Sequence, residues 1–433
     1  MPNPVNPPRG MRDFLPAEKA HRERLLAIIR ESYRAHGFDE IETPVAEDSG
    51  RLHAGLGGDN EKLAFGIQRR GLTREDLEAA AASGDPLDLV DLGLRFDLTV
   101  PLARFYASHR GELPAVFRSI QLAPVWRAER PQKGRYRQFV QCDIDIIGEP
   151  SIRAEAELLV ATLDTVDALG LTGATIRIND RRLLTGMLES FGFPRAEHEQ
   201  ALITIDKLDK VGSDGVVEEL HERGLAGAAI DALHAFLVRP VTAEYLSFGE
   251  RSIRRALPAG ADDGVVGQLA ELGRAVYRAR GAEVLAHLIE FDPFLVRGMG
   301  YYTGPIFELA HPDVPYSLGG GGRYDGMIGR FLGSEVPASG FSLGFERLVD
   351  LLERSADAGG RAIALLHDAD VPLADLLSLK SALVAGGARV RLLVRPRNVR
   401  PALDALAVDG FTHFAFVTAA SVAPESLDVR PLA

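Results

Sequence analysis

Between Arg127 and Arg137 the chain carries five cations, Arg127, Arg130, Lys133, Arg135 and Arg137, and a single acid, Glu129. Neighbouring guanidinium groups repel one another unless an anion lies between them, so this cluster, on a chain of net charge −12, points to a bound polyphosphate. Arginine suits that guest because its planar fork binds phosphate oxygens bidentately and stays charged at any working pH. The bland alternative is a solvated basic hairpin. Tyr136, Phe139 and Gln141 then alternate as a strand leading away from the loop. On that strand Gln141 and Asp145 stand four residues apart, hence on one face. Ile144, Ile146 and Ile147 around Asp145 predict a buried sheet, and a buried carboxylate without a partner is costly, so Asp145 calls for a cationic or donating ligand. Asp97 and Thr99 close a predicted strand, a place where ligands are often held.

The elements that must position these groups are visible as periodic patterns. Pro16 to about His36 reads as a long helix with Leu25, Ile28, Ile29 and Tyr33 at helical spacing, stopped by Gly37. Phe38 to Pro44 reads as a strand, ended by a proline that cannot donate to a ladder. Residues 45–90 look like polar or alanine-rich helix and loop at the surface, with Gly55–Gly58 as a mobile lid. Leu92–Thr99 reads as a strand and Val100–Ser108 as the start of a helix. Ala115–Arg127 and Gln138–Ile147 form a long antiparallel hairpin around the charged loop. Ser151–Leu169 is a helix backing that sheet.

Residues 182–285 change to leucine-rich and charged helical periods, which read as a helical insertion. Strands resume at Phe294–Val296 and Pro305–Leu309, then pass through Gly319–Gly322 to a strand and helix around Gly340–Glu353. The glycine run lacks the Lys-Ser or Lys-Thr of a phosphate-binding P-loop, and close backbone approach to a ligand explains it better. From Arg361 a strand, helix, strand, helix, strand alternation predicts a small parallel sheet flanked by helices.

Length and composition bound the rest. A chain of 433 residues has room for two or three domains of ordinary size. The acidic balance argues against nonspecific coating of nucleic acid, although a local basic site remains compatible with it. The single Cys142 excludes an internal disulfide, and no Cys/His cluster has the spacing of a structural zinc site. With no signal-like or membrane-spanning run in view, a cytoplasmic protein with no membrane contact is expected.

Taken in order, Arg9–Pro16, the Arg127–Phe139 loop, Arg297–Gly304, Gly319–Gly326 and Gly340–Arg347 resemble the class II aminoacyl-tRNA synthetases, and among them the histidyl-tRNA synthetase family. The resemblance covers nearly the whole chain. It implies an α+β catalytic domain on an antiparallel sheet (residues 1–181 and 286–355), interrupted by the helical insertion (182–285). It also implies a small, shortened anticodon-binding-like α/β domain (361–433) and a homodimer. The implied activity is ATP-dependent activation of histidine to histidyl-adenylate and transfer to tRNA(His), with magnesium arriving on the ATP and no dedicated protein metal site.

The resemblance also implies roles. Arg127 holds the α-phosphate and the amino acid carboxylate, Arg347 the far phosphates, and Arg135 assists around the polyphosphate. Arg297 is the cation that stabilises charge developing on the α-phosphoryl group. Glu129 accepts from the adenine amino group while Phe139 stacks on the ring. Asp97 and Thr99 bind the ammonium of histidine, Gln141 and Asp145 read the imidazole, Tyr302 and Tyr324 complete the wall, and Gln132 meets the tRNA acceptor end.

Two rival readings share the resemblance. One is a histidine-sensing regulatory subunit of ATP phosphoribosyltransferase; the other is an enzyme that activates histidine and passes it to an acceptor other than tRNA. A sensor has no reason to keep the phosphate-binding arginines Arg127, Arg297 and Arg347, which favours an enzyme.

Overall fold

The expected hairpin is present: Phe117–Trp126 and Gln138–Ile147 pair antiparallel over their whole length, Phe117 opposite Ile147 and Trp126 opposite Gln138. The computed structural model describes residues 5–53, 63–131, 134–239, 248–281, 287–296, 301–352 and 361–432. The hairpin lies within an eight-stranded sheet of order Asp39–Glu40, Phe117–Trp126, Gln138–Ile147, Ala338–Gly344, Val314–Arg323, Pro305–His311, Thr175–Asp180 and Ile289–Phe291. The interior pairings are antiparallel, and the two edge strands pair in parallel. Apolar residues on one face of Gln138–Ile147, Cys142, Ile144 and Ile146, are fully buried, as an alternating strand packed on a core requires.

The glycine run is strand here. Gly319–Gly322 belong to Val314–Arg323, paired with Ala338–Gly344 on one side and Pro305–His311 on the other. A Cβ on Gly321 would overlap the Gly340 carbonyl oxygen, and one on Gly322 would lie 2.6 Å from the Pro305 oxygen. Close approach of three strands therefore requires glycine at these positions. Beyond the run, Arg323 forms a buried ion pair with Glu155 of the helix Arg153–Ala168 (2.7 Å) and donates to the Glu149 and Ser151 carbonyls, tying that helix to the sheet.

Four expectations need correction. The strand expected over Leu92–Thr99 is Val90–Leu94, so Asp97 lies beyond it and Thr99 opens the helix Thr99–His109. The strand expected over Phe38–Pro44 is limited to Asp39–Glu40, because beyond it only Ile41 N–H still donates to the neighbouring strand before Pro44 intervenes. Residues 45–90 are more than surface helix and loop. Ala46–Asp48, Phe65–Gln68 and Val90–Leu94 build a second, three-stranded antiparallel sheet, with the capped helix Arg74–Ser83 between the last two; Gly55–Gly58 lie outside the described residues. Phe294–Val296 is turn and loop. The strand is Ile289–Phe291, and Leu295 and Val296 are apolar because they enter the core of the helical segment.

Helices Arg181–Phe191, His198–Ile205, Leu208–Glu222, Gly227–Leu237, Glu250–Ala256 and Asp263–Ala279 occupy the expected insertion. The core of the first four, with Leu184, Leu188, Leu202, Leu220 and Leu233, also takes in Ile306 of the main sheet. The chain divides into two compact units, residues 1–12 with 26–352, and residues 13–25 with 353–433. In the second, Ala362–His367 pairs in parallel with Arg389–Val394 and His413–Val417, and helices Leu373–Ala385 and Val399–Val408 alternate with them as expected. Arg430–Pro431 adds a short antiparallel edge.

Candidate active site

Every described residue given a role by the resemblance lines one cleft of about 250 Å³ on the main sheet: Asp97, Thr99, Arg127, Glu129, Arg135, Phe139, Gln141, Asp145, Tyr302, Tyr324 and Arg347; Arg130 and Arg137 of the cationic loop are not among its lining. Arg297 and Gln132 lie outside the described residues. The glycine strand and Gly340 form part of the lining, and a Cβ on Gly340 would overlap Asp145 Oδ1. Glycine there keeps the cleft open beside the Asp145 carboxylate.

One group of lining residues is acidic and buried. Asp97 precedes the helix Thr99–His109, and its Oδ1 accepts from Val100 N (3.2 Å), while Oδ2 is buried with no hydrogen-bond partner among the described residues. Burial lifts its carboxyl to about 6 against the pull of that N–H and of Arg127. Asp145 accepts from the Tyr324 hydroxyl at 2.5 Å. Burial lifts Asp145 to about 7, the Tyr324 bond opposes the rise, and the charge of Asp97 adds to it. Tyr301 packs on Tyr302 with ring centroids 4.8 Å apart and edge-on to Tyr324; burial raises both Tyr301 and Tyr324 well above the ordinary phenol range, so both are neutral donors.

The second group is cationic. Arg127 donates from Nε to the Phe96 carbonyl (3.0 Å) and lies 5.1 Å from the Phe139 ring centroid, while its charge also reaches Asp97. It therefore stands between the acidic group and the aromatic ring. Arg135 pairs with Glu129 (2.8 Å), so the carboxylate expected to read adenine is engaged by a neighbouring cation in this structure. Arg347 donates to the Ser317 carbonyl (2.5 Å) and faces the Tyr316 ring.

Sequence reasoning missed Asp143, Ser342, Tyr301 and Glu346, all of which line the cleft. Asp143 was recoverable: Gln141, Asp143 and Asp145 share one strand face by simple alternation. Burial first, then the charge of Asp145, pushes Asp143 well above the usual carboxylate range. Glu346 had no such signal. Its carboxylate binds Arg12 (2.6 Å) and accepts from Val140 N (3.2 Å), and Arg12 also stacks on Tyr136 at 3.7 Å, so the partners are distant in sequence.

A buried carboxylate oxygen without a partner among the described residues, Asp97 Oδ2, favours a cationic guest, and the arginines beside it favour an anionic one. The model of the family described as histidyl-tRNA synthetase matches residues 10–348. The chain belongs to the histidyl-tRNA synthetase family. It is 59% identical to the histidine–tRNA ligase of Leifsonia xyli subsp. xyli over 433 residues, 100% of this chain and 99% of the relative. Among solved structures, a histidyl-tRNA synthetase from Nostoc sp. PCC 7120 superposes with a TM-score of 0.77 at 25% identity, covering 99% of this chain and 95% of that one. A Bacillus halodurans structure described as an ATP phosphoribosyltransferase regulatory subunit/histidyl-tRNA synthetase superposes at 0.73, covering 96% and 99%; at 21% identity it bears on the fold alone. The α+β architecture on an antiparallel sheet is thus that of class II synthetases. Among the described residues, no helix is long and apolar enough to cross a membrane.

Proposed function

We infer that this chain is a histidine–tRNA ligase that activates histidine with ATP and transfers it to tRNA(His), releasing pyrophosphate and AMP. The observation that carries the reading lies within one cleft: buried acceptors lacking partners among the described residues, Asp97 Oδ2 and Gln141 Oε1, stand with Arg127, Arg135 and Arg347. An amino acid with an ammonium group and a donating side chain satisfies the first set, and a triphosphate the second.

In the first step a carboxylate oxygen of histidine attacks the α-phosphorus and pyrophosphate leaves with the bridging electron pair. Two anions must meet, so cations that hold them together in the transition state supply most of the acceleration. Arg127 bridges the carboxylate and the α-phosphate, Arg347 and Arg135 hold the far phosphates, and Arg297 stabilises the charge developing on the α-phosphoryl oxygens. Phe139 stacks on adenine, and Glu129 turns from Arg135 to the adenine amino group. Asp97 and Thr99 bind the ammonium; Gln141, Asp145, Tyr302 and Tyr324 surround the imidazole. Magnesium would come with the nucleotide and would supply neutralisation of the phosphate charge beside these arginines.

In the second step a hydroxyl of the terminal ribose attacks the acyl carbon and AMP departs, with Gln132 at the acceptor end. Residues 1–181 and 286–355 form the catalytic domain, 182–285 the insertion and 361–433 an anticodon-binding-like domain, and the working unit is a cytoplasmic homodimer. Acylation of a histidine tRNA transcript with labelled histidine tests this reading, with one AMP and one pyrophosphate expected per charged tRNA. Pyrophosphate release without acylation would assign another acceptor. Failure of both would leave a sensor.

A further inference from the structure

Resting on that reading, we propose that Arg12 is a positioning residue for the nucleotide: from outside the cleft it ties Tyr136 to Glu346 and so fixes the loop that carries Glu129 and Arg135. Tyr136 and Glu346 both line the cleft, whereas Arg12 does not. The segment that brings Arg12 there is a tight turn. Met11 N–H donates to the Pro8 carbonyl (2.9 Å), and Gly10 has φ +83°, a left-handed conformation that glycine adopts without strain. A Cβ on Gly10 would also lie 2.8 Å from Pro131 Cγ and 2.9 Å from Arg137 Cγ, so the turn presses directly on the loop.

Both attachments satisfy backbone donors that the sheet leaves over. The ladder of the hairpin ends at Trp126 and Gln138. Just beyond it Arg127 N–H donates to the Arg137 carbonyl (2.8 Å), and Arg137 N–H donates to the Gly10 carbonyl (2.8 Å). On the other side the ladder with Ala338–Gly344 ends at Gln141 and Gly344, and Val140 N–H, one residue further, donates to Glu346 Oε1 (3.2 Å). Arg12 joins the two. Its Nη2 binds Glu346 Oε2 (2.6 Å), its Nη1 donates to the Tyr136 hydroxyl (3.0 Å), and its guanidinium carbon lies 3.7 Å from the Tyr136 ring centroid. One planar fork makes these contacts at once, which a lysine cannot reproduce.

The groups held in this way are neighbours of those assigned to ATP. Tyr136 follows Arg135, Val140 follows Phe139, and Arg137 donates from Nε to the Glu129 carbonyl (2.9 Å). The groups assigned to histidine are placed by other means. Gln141 and Asp145 are paired within the sheet on both sides, and Asp97 and Thr99 lie at the start of the helix Thr99–His109. Loss of Arg12 therefore falls on the nucleotide, where a displacement of about 1 Å costs up to about a hundredfold.

The experiment is histidine-dependent pyrophosphate exchange by the full-length protein, with ATP and histidine varied in turn. Arg12→Ala should raise the KM for ATP about tenfold and leave the KM for histidine within about twofold of wild type. Arg12→Lys keeps a cation for Glu346 but loses the fork, and should recover only part of the affinity for ATP. Gly10→Ala lifts the turn from the loop with Arg12 intact and should show the same split between the two substrates. A merely structural contact would weaken both substrates alike as the domain loosened. An unchanged KM for ATP in a folded Arg12→Ala protein, or a rise shared by both substrates, overturns the proposal; should Arg12→Ala fail to fold, the same criteria apply to Arg12→Lys. Absence of exchange by the wild-type protein would instead overturn the parent reading.

Discussion

Asp97 and Asp145 make the cleft a source of instability whose sign can be worked out. Both carboxyls titrate higher in the folded chain than the ordinary value of 3.8, near 6 and 7 respectively. Between the ordinary and the folded values the native state holds more protons than the unfolded state. Stability that is fully present at low pH is therefore lost as pH rises through the folded values, by about 1.4 kcal/mol per pH unit for each group. A bound ammonium and imidazole oppose that loss. The midpoint of thermal unfolding of the ligand-free protein should fall between about pH 4 and 7 by more than that of the histidine-saturated protein, measured by calorimetry in matched buffers. Equal slopes with and without histidine would separate these carboxyls from the ligand. Arg297→Ala should lower kcat for exchange by two orders of magnitude or more while the Kd for histidine changes less than threefold, because the interaction proposed for it belongs to the transition state. Equal losses in both would contradict that role.

The strands and the helix behind them make separable predictions. Gly321→Ala inserts a methyl into the backbone of the neighbouring strand and should destabilise the fold, whereas Gly340→Ala meets the Asp145 side chain and should act first on histidine binding. Urea unfolding and histidine titration distinguish the two. Glu155→Ala leaves Arg323 buried beside an empty pairing position and should cost about 3–5 kcal/mol in urea unfolding. Removing the exposed Arg74–Glu78 pair should cost well under 1 kcal/mol. The hairpin, the first helix, which runs over Pro16–Ala35, and the alternating C-terminal unit were legible because their periods are regular. The second sheet was not. Its strands Ala46–Asp48 and Phe65–Gln68 are too short to show a period, and both pair with Val90–Leu94, which lies more than twenty residues on in the sequence. The site residues were read mainly through a family resemblance; from alternation alone Gln141 and Asp145 could be placed on one face, and Asp143 with them, whereas Arg12 and Glu346 meet across most of the catalytic sequence.

At the scale of the molecule, a chain of net charge −12 that binds RNA must do so through local cations. The C-terminal unit offers Arg395 and Arg397 just beyond the carboxyl end of the strand Arg389–Val394, and Arg400 in the helix that follows; Arg397 and Arg400 are exposed. The carboxyl ends of parallel strands are where α/β sheets place ligands. Charge reversal at Arg397 and Arg400 should raise the KM for tRNA at least tenfold and flatten its dependence on salt, while histidine-dependent exchange stays within twofold. Loss of exchange in that variant would mean that the C-terminal unit supports the catalytic cleft itself. Whether the buried carboxylates and the arginines beside them form one site for histidine and ATP is tested most directly by ATP–pyrophosphate exchange with each of the standard amino acids in turn. Exchange with histidine alone, abolished by Arg127→Ala, is the predicted result; exchange independent of histidine, or none with any amino acid, would contradict it.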